Sequence, residues 1–136
     1  MRLDELFSES VDRYLDAGYG DCWMRRDIVA GVVVQALLHF DRGRYQLIAW
    51  CVMPNHVHAV LRPLDQHELP EILHTWKSFT ANAANKIIGR SGQFWHAEYY
   101  DHLIRDELDM YRQVEYVLNN PSKARLSGWK WAGRNP

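Results

Sequence analysis

Between Asp27 and Phe40, apolar residues fall at Ile28, Val29, Val32, Val33, Ala36, Leu37 and Phe40, a spacing that keeps returning to one side of a helical turn and predicts a helix. The pattern then changes. After the turn "DRGR" the run "YQLIAWCVM" is almost continuously apolar and of strand length. Pro54-Asn55 leads from it straight into "HVHAVLR", so two antiparallel strands joined as a hairpin are expected. Pro70 suits the first position of a second helix, with Ile72, Leu73, Trp76, Phe79, Ala83 and Ile87 as its apolar positions and Gly89 beyond its end. "QFWHAEYYDHLI" reads as a third, aromatic-rich strand. A third helix is expected from Asp106 to Asn120, stopped by Pro121. Residues 1 to 24 are less well defined and read as a short helix followed by a loop at "DAGYGDC". Helix, two strands, helix, strand, helix is the order of an α+β layer whose helices pack mainly on one face of an antiparallel sheet.

Composition narrows the class. A chain of 136 residues, 47% of them hydrophobic, is enough for one domain over 1–136 that fills its core without disulfides. The two cysteines, Cys22 and Cys51, stand in no disulfide or zinc-knuckle spacing, which fits a reducing compartment. No apolar run approaches the roughly 20 residues needed to cross a bilayer. The acidic start "MRLDELFSES" has no signal-peptide centre, so a cytoplasmic protein with no membrane partner is expected. A formal net charge of −1 argues against coating nucleic acid through phosphate neutralisation alone, though basic residues do cluster at Arg25 and Arg26, at Arg42 and Arg44, and at Lys123, Arg125 and Lys130. Six Trp and seven Tyr supply rings for the core and for stacking on bases.

The most informative stretch is "MPNHVHAVLRP", residues 53–63. Alternate side chains of a strand share a face roughly 6 to 7 Å apart, so His56 and His58 project together and Val57 points the other way. Two imidazoles at that separation can converge on one divalent cation. They are too few for a closed structural zinc site, and a third ligand from elsewhere would leave positions open for water or substrate. On its own the pair also fits two ordinary hydrogen-bonded histidines.

The third helix adds a second group. At about 100° per residue, Tyr111, Val114 and Leu118 share a narrow sector with Val117 at its margin, the expected core stripe, while Tyr116 and Asn120 lie together outside it. One helix side thus offers a phenol and, a turn later, a carboxamide oxygen able to ligate a hard metal. A phenol can attack a phosphodiester when a metal offsets the developing charge, and because a free phenol ionises near about pH 10, a metal or base must stand nearby. A half-exposed surface aromatic explains Tyr116 equally well at this stage. Tyr111 on the stripe, and Tyr99 and Tyr100 on a strand, are better explained by packing.

"WCVMPNHVHAVLRP" (50–63), "ILHTWKSFTANAANK" (72–86), "GQFWHAEYYDHLIRDE" (92–107) and "YVLNNPSKARL" (116–126) together resemble the single-tyrosine transposases with a His-hydrophobic-His motif, in particular the group associated with repetitive extragenic palindromes. The resemblance implies a ferredoxin-like sheet with His56 and His58 as metal ligands on a central strand. It also implies a nucleophilic Tyr116 opening "Y-x-x-x-N-P" and Asn120 in the third metal position. It further implies magnesium or manganese as cofactor, single-stranded or hairpin DNA as partner, and cleavage and rejoining through a 5′-phosphotyrosine intermediate. Family members begin with a further strand before the first helix, and nothing before "LDELFSES" resembles it, so the sheet is expected to lack that strand. Two consequences are expected from such a gap: a homodimer that completes the sheet, or a degenerate relative that grips hairpin nucleic acid without cutting. Lys77 and Ser78 in "TWKSFT", Arg62, Arg105 and Lys123 are candidate DNA contacts, each also explained as solvated surface. An unrelated metallohydrolase is disfavoured, because the nearest acids after the pair, Asp65 and Glu68, read as loop and cap residues. "GWKWAG" is expected to latch over the domain without taking part in chemistry.

Overall fold

The protein is described by a computed structural model covering residues 11–16, 22–64, 66–95 and 99–135, with backbone only at 11–16 and 99–102. Five strands form one antiparallel sheet, ordered β4-β1-β3-β2-β5. They are β1 (Val11–Asp16), β2 (Tyr45–Val52), β3 (His56–Pro63), β4 (Tyr99–Leu103) and β5 (Ala132–Arg134). Among the described residues three helices complete the order: α1 (Asp27–Phe40), α2 (Leu69–Ile88) and α3 (Glu107–Lys123), with a short 3-10 turn at Trp23–Arg25 ahead of α1.

The strand expected to be missing is present. β1 occupies an inner position, antiparallel to β3 on one side, with Tyr14 opposite His58 and Asp16 opposite His56, and to β4 on the other. Within the segment expected to hold a short helix and a loop, residues 11–16 form a strand, while residues 1–10 and 17–21, and with them most of the expected loop at "DAGYGDC", lie outside the described residues. The physical reason is that "VDRYLD" carries its apolar residues at 11, 14 and 15, which matches a helical period as readily as a strand; two neighbouring strands decide the matter. With β1 in place the backbone groups along that edge of β3 are paired within the chain, so no second copy is called for to complete the sheet.

β3 shows how the layers divide. Val57, Ala59 and Leu61 face a core built with Val29, Val33 and Leu37 of α1 and Ile72, Leu73 and Trp76 of α2. Val60, on the opposite face, joins Ala49 and Cys51 of β2 and Met110, Val114 and Val117 of α3. Two of the three helices thus share one face, as expected, and α3 crosses the other, which is also the side of the alternate residues His56 and His58.

α2 begins and ends close to where its signals put it, with Gly89 closing it at φ 72°, in the left-handed region. Its buried stripe runs through Thr80 and Ala84 rather than Phe79, which is half exposed. Thr80 is tolerated in the core because its hydroxyl donates to Trp76 O at 2.8 Å and accepts from Trp95 Nε1 at 2.9 Å. α3 starts at an Asp106 cap whose carboxylate accepts from Asp109 N at 2.8 Å. It passes through Pro121 instead of stopping there. In the last turn a proline forfeits only its own bond to the Val117 carbonyl, and Ala124 N still reaches Asn120 O at 3.1 Å. The core stripe of α3 is Met110, Val114, Val117 and Pro121, so the expectation for Tyr111 is also corrected: it is 63% exposed.

The C-terminal segment is a latch, and it adds a strand the hydrophobic pattern did not reveal. Trp129 Nε1 donates to Val52 O at 2.7 Å, Trp131 Nε1 to Asp27 Oδ1 at 3.0 Å, and β5 pairs with β2. Gly133 lies flat against Trp50, and a Cβ added there would meet the ring at 2.7 Å. Gly133→Ala is expected to destabilise the fold by about 1–3 kcal/mol, measured as a lowered urea midpoint; an unchanged midpoint would contradict the close packing of β5. Among the described residues no helix is long and apolar enough to cross a membrane.

Candidate active site

The strand that carries the two histidines is anchored where it begins. Met53 N donates to His56 O at 2.7 Å to close the turn from β2, and Met24 N donates to Pro54 O at 3.0 Å. The strand pleat then sends His56 and His58 to the α3 side, with ring centroids 6.0 Å apart and planes inclined at 76°. His58 is 5% exposed, whereas His56 is half-buried with its Nδ1 2.9 Å from Asn55 Oδ1.

α3 brings the phenol to them. Its stripe of Met110, Val114, Val117 and Pro121 seats it on the sheet, which leaves Tyr116 on a flank, 45% exposed, with its ring centroid 5.3 Å from that of His58. One turn on, Asn120 is half-buried with a buried Nδ2 that finds no hydrogen-bond partner among the described residues. Lys123, a further turn on, places Nζ 5.1 Å from the Tyr116 ring centroid, a distance within range of a cation–π contact. Cys51, opposite His58 in register, is fully buried, and burial pushes its thiol up to about 12. It packs as a small apolar side chain and does not compete as a nucleophile.

Among the described residues no third His, Cys, Asp or Glu groups with the histidines. Two imidazoles and, one turn after Tyr116, a carboxamide are donor types that a divalent cation accepts, and the Asn120 amide, which finds no hydrogen-bond partner among the described residues, presents Oδ1 where Nδ2 now lies when turned about its last torsion. Three such ligands leave coordination positions free and suit a catalytic rather than a closed structural centre.

The remaining candidates divide. Arg62 follows the histidines on their face of β3, with Nη2 3.5 Å from Gln46 Oε1. Lys77 and Ser78 belong to α2 on the opposite layer, where with His74, Gln93 and Trp95 they line a groove of about 440 Å³. Arg105 is exposed just before α3, eleven residues or roughly 16 Å of helix from Tyr116. The structure brings neither Lys77 and Ser78 nor Arg105 to the histidines. Lys123 stands beside the phenol. The contact between Asn55 and His56 was missed in the sequence, where its one signal is adjacency in "PNH".

Comparison with known proteins follows the same geometry. Residues 34–120 match the family described as "Transposase IS200 like". A Haemophilus influenzae protein described as a REP-associated tyrosine transposase is 25% identical over 89 residues, 58% of this chain; the chain spans about half the length of that relative, 51% of it. A solved REP-associated tyrosine transposase bound to a REP hairpin superposes with a TM-score of 0.72 at 19% identity, covering 90% of this chain and 70% of that one. A Deinococcus radiodurans protein described as a transposase superposes with a TM-score of 0.56 at 18% identity, covering 82% of this chain and 88% of that one. At these identities the two structures speak for the shared α+β fold. The match over 34–120, which takes in both histidines, Tyr116 and Asn120, decides the family: the chain belongs to the IS200-like transposases.

Proposed function

We propose that the protein is a metal-dependent single-stranded DNA endonuclease and transposase that cleaves and rejoins DNA through a 5′-phosphotyrosine on Tyr116. The observation that supports the reading is the Tyr116 ring 5.3 Å from His58, close enough for a tyrosine nucleophile and a histidine-held cation to share one site. His56, His58 and Asn120 would hold the ion, Mg2+ or Mn2+. When bound, the ion supplies charge neutralisation at the scissile phosphate. Tyr116 Oη attacks phosphorus, forming the O–P bond as the bond to the 3′ oxygen breaks; a proton leaves the phenol and one is taken up by the departing 3′ oxygen. Attack of a 3′-hydroxyl on the phosphotyrosine reverses these changes and rejoins the strand. Lys123 places a positive charge beside the phenol, where the phosphate oxygens of a bound strand would need one.

Hairpin DNA is the partner this reading favours, because the solved relative is bound to a REP hairpin. Arg62 extends the same face and is suited to contact a phosphate next to the cut; Lys77, Ser78 and Arg105 would contact DNA only where it wraps beyond the site. A degenerate binder that does not cut drew its support from a missing strand, and β1 fills that place.

The test is direct. Labelled single-stranded DNA carrying a hairpin, incubated with the protein and Mn2+ and then denatured in detergent, is expected to leave a covalent protein–DNA band that EDTA prevents. Hairpin binding without such a band would sink the cutting role and restore the binder.

A further inference from the structure

The loop after α3 closes in a way its sequence does not favour. Leu126 N donates to Pro121 O at 2.8 Å and Arg125 N to Ser122 O at 3.0 Å, the pair of bonds that ends many helices around one left-handed residue. That residue is here Arg125, at φ 58°, although glycine is the usual occupant because a Cβ crowds the following carbonyl. The next left-handed position of the loop does hold a glycine, Gly128 at φ 71°. Arg125 is exposed and makes no ion pair among the described residues, so no contact within them accounts for a guanidinium at a strained position.

What Arg125 borders is a groove of about 580 Å³ between the end of α3 and the C-terminal latch. The half-buried Leu118, Leu126 and Trp129 line it together with the exposed Ser122, Ser127 and Arg125, and no acidic side chain does. Trp129 is held in place there by its Nε1 bond to Val52 O at 2.7 Å. An indole, two hydroxyls and a cation with no opposing carboxylate suit a nucleotide, with a base to lie against the ring and a phosphate for the guanidinium. The groove is on the far flank of α3 from the candidate active site, since Leu118 and Ser122 stand about 200° and 240° round the helix from Tyr116. Lys123 stays on the near flank, beside the phenol. The two cations therefore stand on either side of the helix end, roughly 10 Å along the axis from Tyr116.

We propose that this groove holds an unpaired nucleotide of a DNA strand that passes round the end of α3 from the Tyr116 site, its phosphate on Arg125 and its base against Trp129. The nucleotide is unpaired because a base inside a duplex is already stacked on both faces and has none to offer the indole. The substrate class rests on the function proposed above; the path of the single strand outside the hairpin is what the groove adds.

Fluorescence anisotropy on the full chain, in EDTA so that binding alone is read, compares a blunt DNA hairpin with the same hairpin carrying a short oligothymidine tail at its 5′ or 3′ end. Wild type is expected to prefer one tailed hairpin to the blunt one by about 5-fold or more, the scale of one stacked base. Arg125→Gly should melt at or above the wild-type temperature, because glycine suits the left-handed position. It should nevertheless lose most of that preference and lower the salt slope of the tailed complex by about one unit, whereas Arg125→Lys should keep the slope. A tail carrying an iodinated deoxyuridine is expected to photo-crosslink to Trp129, mapped by mass spectrometry. A tail that adds no affinity, a loss in Arg125→Gly that is equal for blunt and tailed hairpins, or a crosslink away from the groove overturns the proposal. So does an Arg125→Gly that melts well below wild type, which marks a role in the fold instead. A wild type that forms the covalent adduct but gains nothing from a tail loses only the groove; one that binds neither hairpin loses the groove and the DNA reading together.

Discussion

Tyr116→Phe is expected to abolish the covalent DNA adduct while leaving hairpin affinity and folding close to wild type. Phenylalanine keeps the ring, and with it the packing on His58 and the Lys123 ammonium over the face; it removes only the oxygen that forms the bond to phosphorus. Because the residue is 45% exposed, losing one hydroxyl there should change stability by no more than about 0.5 kcal/mol. Other tyrosines provide the contrast. Tyr111 is 63% exposed on the far side of α3, and Tyr111→Phe should leave the adduct at wild-type yield. Tyr45 is buried, its hydroxyl donates to Leu37 O at 2.6 Å, and burial pushes that phenol upward, so it cannot meet a DNA strand. Gel quantification of the adduct, thermal melts and hairpin binding on the same three proteins check all of this. A normal adduct from Tyr116→Phe would move the nucleophile elsewhere.

Why the sequence placed Tyr116 outside the core stripe but misread the stripe itself is a matter of phase and context. The long periodic segments were legible: α1, the β2–β3 hairpin and α2 lie close to their expected bounds, because ten or more residues repeat one pattern between clear stops such as Gly89. The phase of α3 was read from Tyr111 and Leu118, whereas the helix seats itself on Met110, Val117 and Pro121, a stripe whose flexible thioether and ring carry little periodic signal. Tyr116 lies off either stripe, so its non-core position is the same under both, yet only the crossing of α3 over β3 shows that it meets His58. β1 and β5 were not legible at all. Six residues with ambiguous spacing and three residues, "AGR", become strands because neighbours offer them pairing, which is information held elsewhere in the chain. The histidine pair was legible from strand alternation alone, while the contact of Asn55 needs the closed turn, and that of Lys123 needs the helix to continue past Pro121.

That extra turn beyond Pro121 also keeps Asn120 inside a helix, and this yields a pair of variants whose effects on stability should have opposite signs. His58 is 5% exposed beneath the Tyr116 ring, so His58→Ala leaves a hole and is expected to cost about 2 kcal/mol. Asn120 instead buries an amide nitrogen with no hydrogen-bond partner among the described residues, a debt of about 1 kcal/mol or more that Asn120→Ala removes. Alanine is also the better helix former, so this variant is expected to melt at or above the wild-type temperature. Both changes nevertheless delete a proposed cation ligand, and both should weaken Mn2+ binding by more than the roughly 10- to 100-fold that an outer-shell partner accounts for. Calorimetric melts and Mn2+ titrations, each without DNA, read the two quantities separately. A more stable Asn120→Ala that has lost the ion would mean that the fold tolerates an unsatisfied amide for the sake of the site. An Asn120→Ala that is more stable and binds Mn2+ like wild type would remove Asn120 from the ligand set, and with it the three-ligand centre.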